Sequence, residues 1–81
     1  MNFQVRLFAR ARDAAGADRV TVELPENARA SDLRSALAER FPNLAVLAPA
    51  LLVAVGTNYA DERTTLDPES EIACFPPVSG G

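Results

Sequence analysis

Two segments near the start of the chain alternate between apolar and polar side chains. Residues 2–9 and residues 19–24 place every second side chain in an apolar set: Phe3, Val5, Leu7, Val20, Val22 and Leu24. A period of two predicts half-buried β-strands. The Ala-rich stretch 10–18, which contains Gly16, predicts a helical turn and a reversal of direction. We therefore expect the two strands to pair in antiparallel fashion.

A helical pattern follows these strands. Apolar residues recur at spacings of three and four and form one stripe: Leu33, Ala36, Leu37 and Phe41. Ser31 is a predicted N-cap, and Asp32 lies in the first turn, where the helix dipole favours an anion. Pro42 disfavours a helical residue before it and predicts that the helix ends near Arg40.

The second half of the chain predicts three short strands, at residues 51–55, 64–66 and 71–75. Residues 44–50 are apolar but contain Pro49, which indicates a packed connection rather than a strand. Residues 67–70 read Asp-Pro-Glu-Ser and predict a turn. Pro76 ends the last strand because proline cannot donate a hydrogen bond to a sheet.

The order strand, strand, helix, strand, short strand, strand predicts an α+β fold. One amphipathic helix over one face of a mixed sheet of four to five strands is the smallest architecture that buries both apolar surfaces. This pattern is typical of the β-grasp, or ubiquitin-like, fold. We expect residues 1–75 to form that domain and residues 76–81 to form an extended C-terminal tail.

Composition narrows the classes of function. The chain has 81 residues, no His and one Cys, which excludes a structural zinc site or a Ser–His or Cys–His relay within it, so we expect no metal. Its net charge is −3, which argues against nucleic acid and against an anionic membrane. No apolar run reaches about 18 residues. We therefore expect a cytoplasmic protein whose partners include neither nucleic acid nor membrane.

The end of the sequence predicts a carried reactive group. Pro76 and Pro77 favour an extended segment, and Gly80 and Gly81 lack a Cβ, so their backbone fits a narrow channel. Gly81, taken as the chain's end, carries an unhindered α-carboxylate. Transfer to ATP would activate it as an acyl-adenylate, and a sulfur nucleophile could then displace AMP to leave a thiocarboxylate. The structural alternative is a chance Gly-Gly pair in a frayed terminus.

The two ends of the sequence carry a resemblance to a known family. Leu7-Phe8-Ala9, with Arg12 and Gly16 behind, and the closing Phe-Pro-Pro-Val-Ser-Gly-Gly of residues 75–81 resemble the small subunits of molybdopterin synthase. The resemblance implies that an E1-like adenylyltransferase uses ATP to activate Gly81, with no cofactor bound to the chain itself. It further implies a thiocarboxylate on Gly81, loaded from a sulfur donor such as a cysteine desulfurase or a rhodanese-like protein.

The resemblance also implies a larger partner. In that family the tail, here Ser79 and Gly80, threads into the large catalytic subunit. Sulfur then passes to cyclic pyranopterin monophosphate to form the dithiolene. Such carriers usually assemble with the large subunit as a heterotetramer. The chain would thus be the sulfur-donating subunit of a sulfurtransferase and would not be catalytic alone.

The phase of the strands predicts a docking face. Phe8 is out of phase with Leu7, and Phe75 is out of phase with Cys74, so both aromatic residues are expected on the sheet face opposite the core. On neighbouring strands they would form an exposed pair that Tyr59 could join, and Pro76 and Val78 complete the expected partner-binding set. The alternative is a sheet that its own loops cover on both faces. Cys74 itself is expected in the core, as a small apolar side chain.

Three other functions remain open at this point. The chain could carry sulfur for thiamine, cysteine or tRNA thiolation, although the Phe-Pro-Pro-Val segment favours molybdopterin. It could be a modifier attached to lysines of other proteins. It could also be a ubiquitin-like binding module that carries no sulfur and whose tail is incidental.

Overall fold

The computed structural model describes residues 1–77. These residues form five strands and two α-helices, in the order β1 (Asn2–Leu7), α1 (Ala9–Ala15), β2 (Arg19–Glu23), α2 (Ala30–Arg40), β3 (Leu52–Val55), β4 (Asn58–Ala60) and β5 (Ile72–Phe75). Two short 3-10 turns, Pro42–Leu44 and Ala48–Ala50, join α2 to β3. None of the helices in this described part is long and apolar enough to cross a membrane.

The strands form one mixed sheet in the order β2-β1-β5-β3-β4. The first and last strands, β1 and β5, are parallel neighbours in its middle, with Val5 opposite Ile72 and Leu7 opposite Cys74. All other neighbours are antiparallel. A parallel pair needs a long crossover, and the chain from β2 to β3 with α2 provides one. The predicted β-grasp is confirmed.

The core lies between one face of this sheet and α2. In β1 the buried and exposed residues alternate strictly, and the buried set meets α2 through Leu33 and Leu37, whose side chains are fully buried. The largest fully buried residues are Phe3, Leu7, Leu33, Leu37, Leu44, Leu51 and Ile72. Phe41 packs against this cluster from the end of α2, so the predicted apolar stripe does face the core. Within residues 1–77, no helix covers the other face of the sheet.

The start of α2 differs from the prediction. Ser31 is not the N-cap, because Arg29 takes that position and the helix begins at Ala30. The amide N–H of Arg29 donates to the Asp32 carboxylate at 2.8 Å. The amides of Ala30 and Ser31 donate to the carbonyls of Thr64 and Glu62. The first turn therefore obtains its acceptors from a distant loop, which sequence spacing does not reveal.

Two strand predictions are wrong in extent. Residues 64–66 form no strand; Thr65 makes only an isolated bridge to Arg29, because the backbone of this loop is used to hold the start of α2. The first strand ends at Leu7 and not at residue 9, since α1 begins at Ala9. Conversely, β4 was not predicted, because three residues give too short an alternation to recognise.

A two-residue turn, Gly56-Thr57, joins β3 to β4 and so positions Tyr59. Val55 lies opposite Asn58, and Gly56 has a φ of 62°, as the first central residue of a type II′ hairpin turn requires. An added Cβ at Gly56 would meet no atom within 4 Å. The glycine is therefore required by backbone conformation and not by lack of space.

We predict that Gly56→Ala lowers the free energy of unfolding by about 1 kcal/mol, because an L-residue is strained at this φ. Urea denaturation followed by circular dichroism measures the change. Thr57→Ala, at the next position of the same turn, is the matched control and should change stability by less than half as much. Equal effects of the two substitutions would contradict this account of the turn.

Candidate functional site

Two phenylalanine rings stack on the uncovered face of the sheet. Phe8 directly follows β1 and Phe75 ends β5, and these strands are parallel neighbours. The ring centroids lie 5.0 Å apart with an interplanar angle of 17°. Stacking of this kind contributes about 0.5–1.5 kcal/mol beyond the area buried. The pairing of β1 with β5 thus brings together two aromatic residues 67 positions apart in sequence.

Tyr59 extends the pair toward the sheet edge. Its ring meets Phe75 edge-on, with centroids 6.5 Å apart and an angle of 64°, and 74% of Tyr59 is exposed. Leu52 lies opposite Phe75 in the register of β3 with β5 and is 40% exposed. We call Phe8, Leu52, Tyr59 and Phe75 the aromatic surface. Exposed apolar patches of this kind are typical of protein-binding sites.

A cation borders the aromatic surface on the side of β2. The guanidinium of Arg6 lies 5.1 Å from the centroid of the Phe8 ring. Its Nη1 also donates to Oε1 of Glu71 at 2.9 Å. Both side chains are well exposed, so the ion pair adds little stability. The ion pair with Glu71 instead fixes the position of the Arg6 guanidinium over the Phe8 ring.

The predicted site residues fall into two groups. Phe8 and Phe75 lie together, as strand phase predicts, and Tyr59 joins them. That these residues bind a partner stays a prediction. Pro76 is half-buried beside them, whereas Val78, Ser79, Gly80 and Gly81 lie outside the described residues. The division into a domain at 1–75 and a tail at 76–81 also stays a prediction, although β5 does end at Phe75.

Two details of the expected aromatic pair need correction. Phe8 is not on a strand, because β1 ends one residue earlier. Neither phenylalanine is fully exposed; both are half-buried because each ring covers one face of the other. Next to Phe8, Ala9 has a φ of 53°, in the left-handed region that costs an L-residue about 1–2 kcal/mol. The fold therefore retains local backbone strain beside the aromatic surface.

Sequence reasoning missed Leu52 and Arg6. The signal for Leu52 was present, because it is out of phase with Leu51 and Val53, both buried. The position of Arg6 depends on Glu71, 65 residues away. That contact requires the register of β1 with β5, which local periodicity does not give.

Cys74 is a core residue and not part of the site. Its side chain is fully buried, which confirms the prediction from its phase with Ile72. Desolvation by burial raises the pKa of the Cys74 thiol from 9.0 to about 12, with a small opposing effect of Arg34. At neutral pH the group is a neutral thiol, which is a poor nucleophile. Within residues 1–77 no group of three or more His, Cys, Asp or Glu side chains could hold a metal ion.

The sheet order and the single crossover helix define a ubiquitin-like β-grasp protein, with an aromatic surface where the last strand ends. The sequence pattern of the ThiS family matches residues 5–81. The chain belongs to this family.

The chain is also similar in sequence to individual proteins named molybdopterin synthase sulfur carrier subunit. A molybdopterin synthase sulfur carrier subunit from Drosophila erecta is 37% identical over 84 residues, covering 100% of this chain and 92% of that protein. The human protein of the same name is 32% identical and covers 96% and 92%.

Solved structures share the fold. SAMP1 from Haloferax volcanii is 27% identical and covers both chains fully, with a TM-score of 0.82. A chain from a complex of subunits 1 and 2 of the molybdopterin-converting factor of Helicobacter pylori covers both chains fully, with a TM-score of 0.65. At 21% identity, this second likeness establishes the fold alone.

We predict that Cys74 does not react with a thiol reagent at pH 8 in the folded protein and reacts at once in denaturant. Because folding raises its pKa, the neutral thiol contributes stability that is complete below pH 9 and is lost as the pH rises toward about 12. Urea denaturation at pH 7 and pH 10.5 measures the loss, and Cys74→Val is the control that should lack this part of it. Fast labelling of the native protein would contradict the assignment.

Proposed function

We propose that this protein is the sulfur-carrier subunit of a molybdopterin synthase and that Gly81 carries the sulfur. The observation that carries the proposal is the aromatic surface at the end of β5, from which the chain continues toward Gly80 and Gly81. Membership of the ThiS family and the names of the similar proteins support it. Cys74, the chain's one thiol, is buried in the core, so the proposal does not use it as the sulfur carrier.

The chemistry of the proposal is a cycle at one carboxylate. An oxygen of Gly81 attacks the α-phosphorus of ATP on an E1-like adenylyltransferase, forming the acyl-adenylate and releasing pyrophosphate. The terminal sulfur of a persulfide on a cysteine desulfurase or rhodanese-like donor then displaces AMP and forms an acyl disulfide. A second thiol attacks the donor's sulfur in this S–S bond, which releases the thiocarboxylate and leaves a disulfide on the donor. At the large subunit the sulfur passes to cyclic pyranopterin monophosphate, and an oxygen from water restores the carboxylate.

The carrier domain's part in this cycle is to position the tail. Phe8, Phe75 and Tyr59 present a rigid apolar anchor beside the root of the tail, since each ring is held by its neighbour. A partner that covers this surface holds the start of the tail within a few residues' reach of its own active site. Glycine at 80 and 81 then allows the backbone to enter a narrow channel.

The aromatic surface is expected to serve more than one partner in turn. The activating enzyme and the large subunit both need the same terminal residue. Docking on one surface makes their binding mutually exclusive, so the carrier leaves one partner before it engages the other. A large subunit as the final partner is supported by the fold's occurrence in a complex of subunits 1 and 2 in Helicobacter pylori.

A second function is supported by one finding. SAMP1, the small archaeal modifier protein 1 of Haloferax volcanii, shares the fold over the full chain. A modifier would use the same acyl-adenylate but transfer Gly81 to a lysine amine, with loss of AMP. The two functions differ in product: a free thiocarboxylate in one case and an isopeptide bond in the other.

Activation of Gly81 is the first prediction of this function. Incubation with ATP, a matching E1-like enzyme and a sulfide source should raise the intact mass by the difference between one sulfur and one oxygen. A chain lacking Gly81 should not gain that mass, while its melting temperature stays within about a degree of the parent's, because terminal residues add little stability. No mass change with a demonstrably active enzyme would contradict the proposal.

Docking through the aromatic surface is the second prediction. Tyr59→Asp should weaken binding of the large subunit at least tenfold, or about 1.4 kcal/mol, because it places a charge in an apolar contact. Isothermal titration calorimetry measures the affinity. Because Tyr59 is exposed, the domain should remain folded after Tyr59→Asp. Phe75→Asp should weaken binding of the large subunit more than Tyr59→Asp does.

The matched control for docking is Val46→Asp. Val46 is 87% exposed and lies between the two 3-10 turns, away from the aromatic surface. Its substitution should leave the affinity unchanged. Equal losses for Tyr59→Asp and Val46→Asp would mean that general surface charge, and not this surface, controls binding.

A further inference from the structure

The outer edge of β2 is unpaired within the part of the chain that the structure describes, since β2 is the terminal strand of the sheet. Two hydrogen bonds next to the paired residues show which backbone groups of β2 point toward β1 and which point outward. The N–H of Leu7 donates to the backbone carbonyl of Asp18 at 2.8 Å, and the N–H of Leu24 donates to the backbone carbonyl of Met1 at 2.9 Å. In an antiparallel pair such bonds recur at every second residue. Val20 and Val22 therefore bond inward to β1.

The alternate residues of β2 consequently direct their N–H and C=O groups outward. These are Arg19, Thr21 and Glu23, which also place their side chains on the face opposite the core. Natural edge strands are commonly blocked by proline, by a bulge or by repeated charges of one sign. β2 is a regular strand of five residues without proline. Its two charges have opposite sign and stand at its two ends.

One of these charges lacks compensation. Arg19 lies opposite Arg6 in the register of β1 with β2, and like charges in this position repel each other. Arg6 is neutralised by Glu71 at 2.9 Å. For Arg19, no carboxylate of residues 1–77 lies within 4 Å. An acid supplied from outside the domain would relieve this repulsion.

We propose that β2 pairs in antiparallel fashion with β2 of a second copy, about a two-fold axis through Thr21. This register places Arg19 opposite Glu23 of the second copy, and the reverse pair follows by symmetry. The Thr21 residues face each other on the same side, and Val20 lies opposite Val22 on the core side. Opposite-charge, Thr–Thr and β-branched pairs are all favourable across strands. A shift by two residues would put Arg19 opposite Thr21 and lose both Arg19–Glu23 pairs.

The surroundings of β2 leave room for the added strand. A groove of about 380 Å³ separates β2 from α2 and is lined by Val22, Glu23, Ala36, Glu39 and Arg40. The second copy's valine side chains can enter on this side. The aromatic surface is built from Phe8 after β1 and from residues of β5, β3 and β4, whereas the second copy pairs with the outer edge of β2, on the other side of β1. Dimerisation therefore leaves it uncovered, and this inference does not depend on the proposed function.

The dimer is expected to be weak and reversible, because two five-residue edges bury less than the ~1,200 Å² of a stable interface. Sedimentation equilibrium of the full chain up to about 1 mM covers affinities of this order. The parent protein should show a monomer–dimer equilibrium. Glu23→Arg, which sets two guanidinium groups against each other twice in the interface, should raise the dissociation constant at least tenfold.

The charge-swapped protein, with Arg19→Glu and Glu23→Arg together, is the matched test of register and should recover dimerisation. Thr21→Pro removes only an outward N–H and should also abolish it, while far-ultraviolet circular dichroism verifies that each variant folds. A monomeric parent over the whole range would overturn the proposal. So would association that survives Glu23→Arg and Thr21→Pro, or a swapped protein that stays as weak as Glu23→Arg.

Discussion

The parallel pairing of β1 with β5 in the middle of the sheet is the constraint on which the rest of the structure depends. It joins the first and last strands of the described fold. On one side β2 pairs with β1, and on the other side β3 pairs with β5 and β4 pairs with β3. Because the two strands run in the same direction, their ends lie at the same edge of the sheet. Phe8 and Phe75 therefore meet as a stack at the point where β5 ends. The contact of Arg6 with Glu71 depends on the same register.

The two faces of the sheet differ in composition: one forms the core with α2, and the other carries the aromatic surface. The residues of β1 and β5 that point toward α2 are buried and apolar, and they include Cys74, whose thiol is kept neutral by burial. In the described part of the chain no helix covers the opposite face, which carries the aromatic surface and the Arg6 guanidinium beside it. A carrier benefits from this division, since partners can bind and leave one face while the other maintains the fold. The outer edge of β2 is a further surface, separated from β5 by β1 in the sheet.

Much of the fold could be predicted from the sequence, and the failures have local causes. Strict alternation in β1 and β2 and the stripe of α2 identify their elements because each buries one side only. The predicted N-cap at Ser31 is wrong. The amides of Ala30 and Ser31 find their acceptors in the carbonyls of Thr64 and Glu62, far along the chain, and sequence spacing does not reveal these contacts. Phe8 and Phe75 followed from strand phase, and the same signal marks Leu52, whereas the contact of Arg6 needed the register between strands. A register of this kind is a property of the folded sheet and not of any one segment.

Sulfur delivery in a single turnover tests the central claim most directly. Carrier loaded with thiocarboxylate would be mixed with the large subunit and cyclic pyranopterin monophosphate, and both carrier mass and dithiolene product followed with time. The account predicts that the mass returns to that of the carboxylate as the dithiolene forms, and that Tyr59→Asp slows both changes together. A carrier that keeps its sulfur, or that loses it by forming an isopeptide with a lysine, would contradict the account.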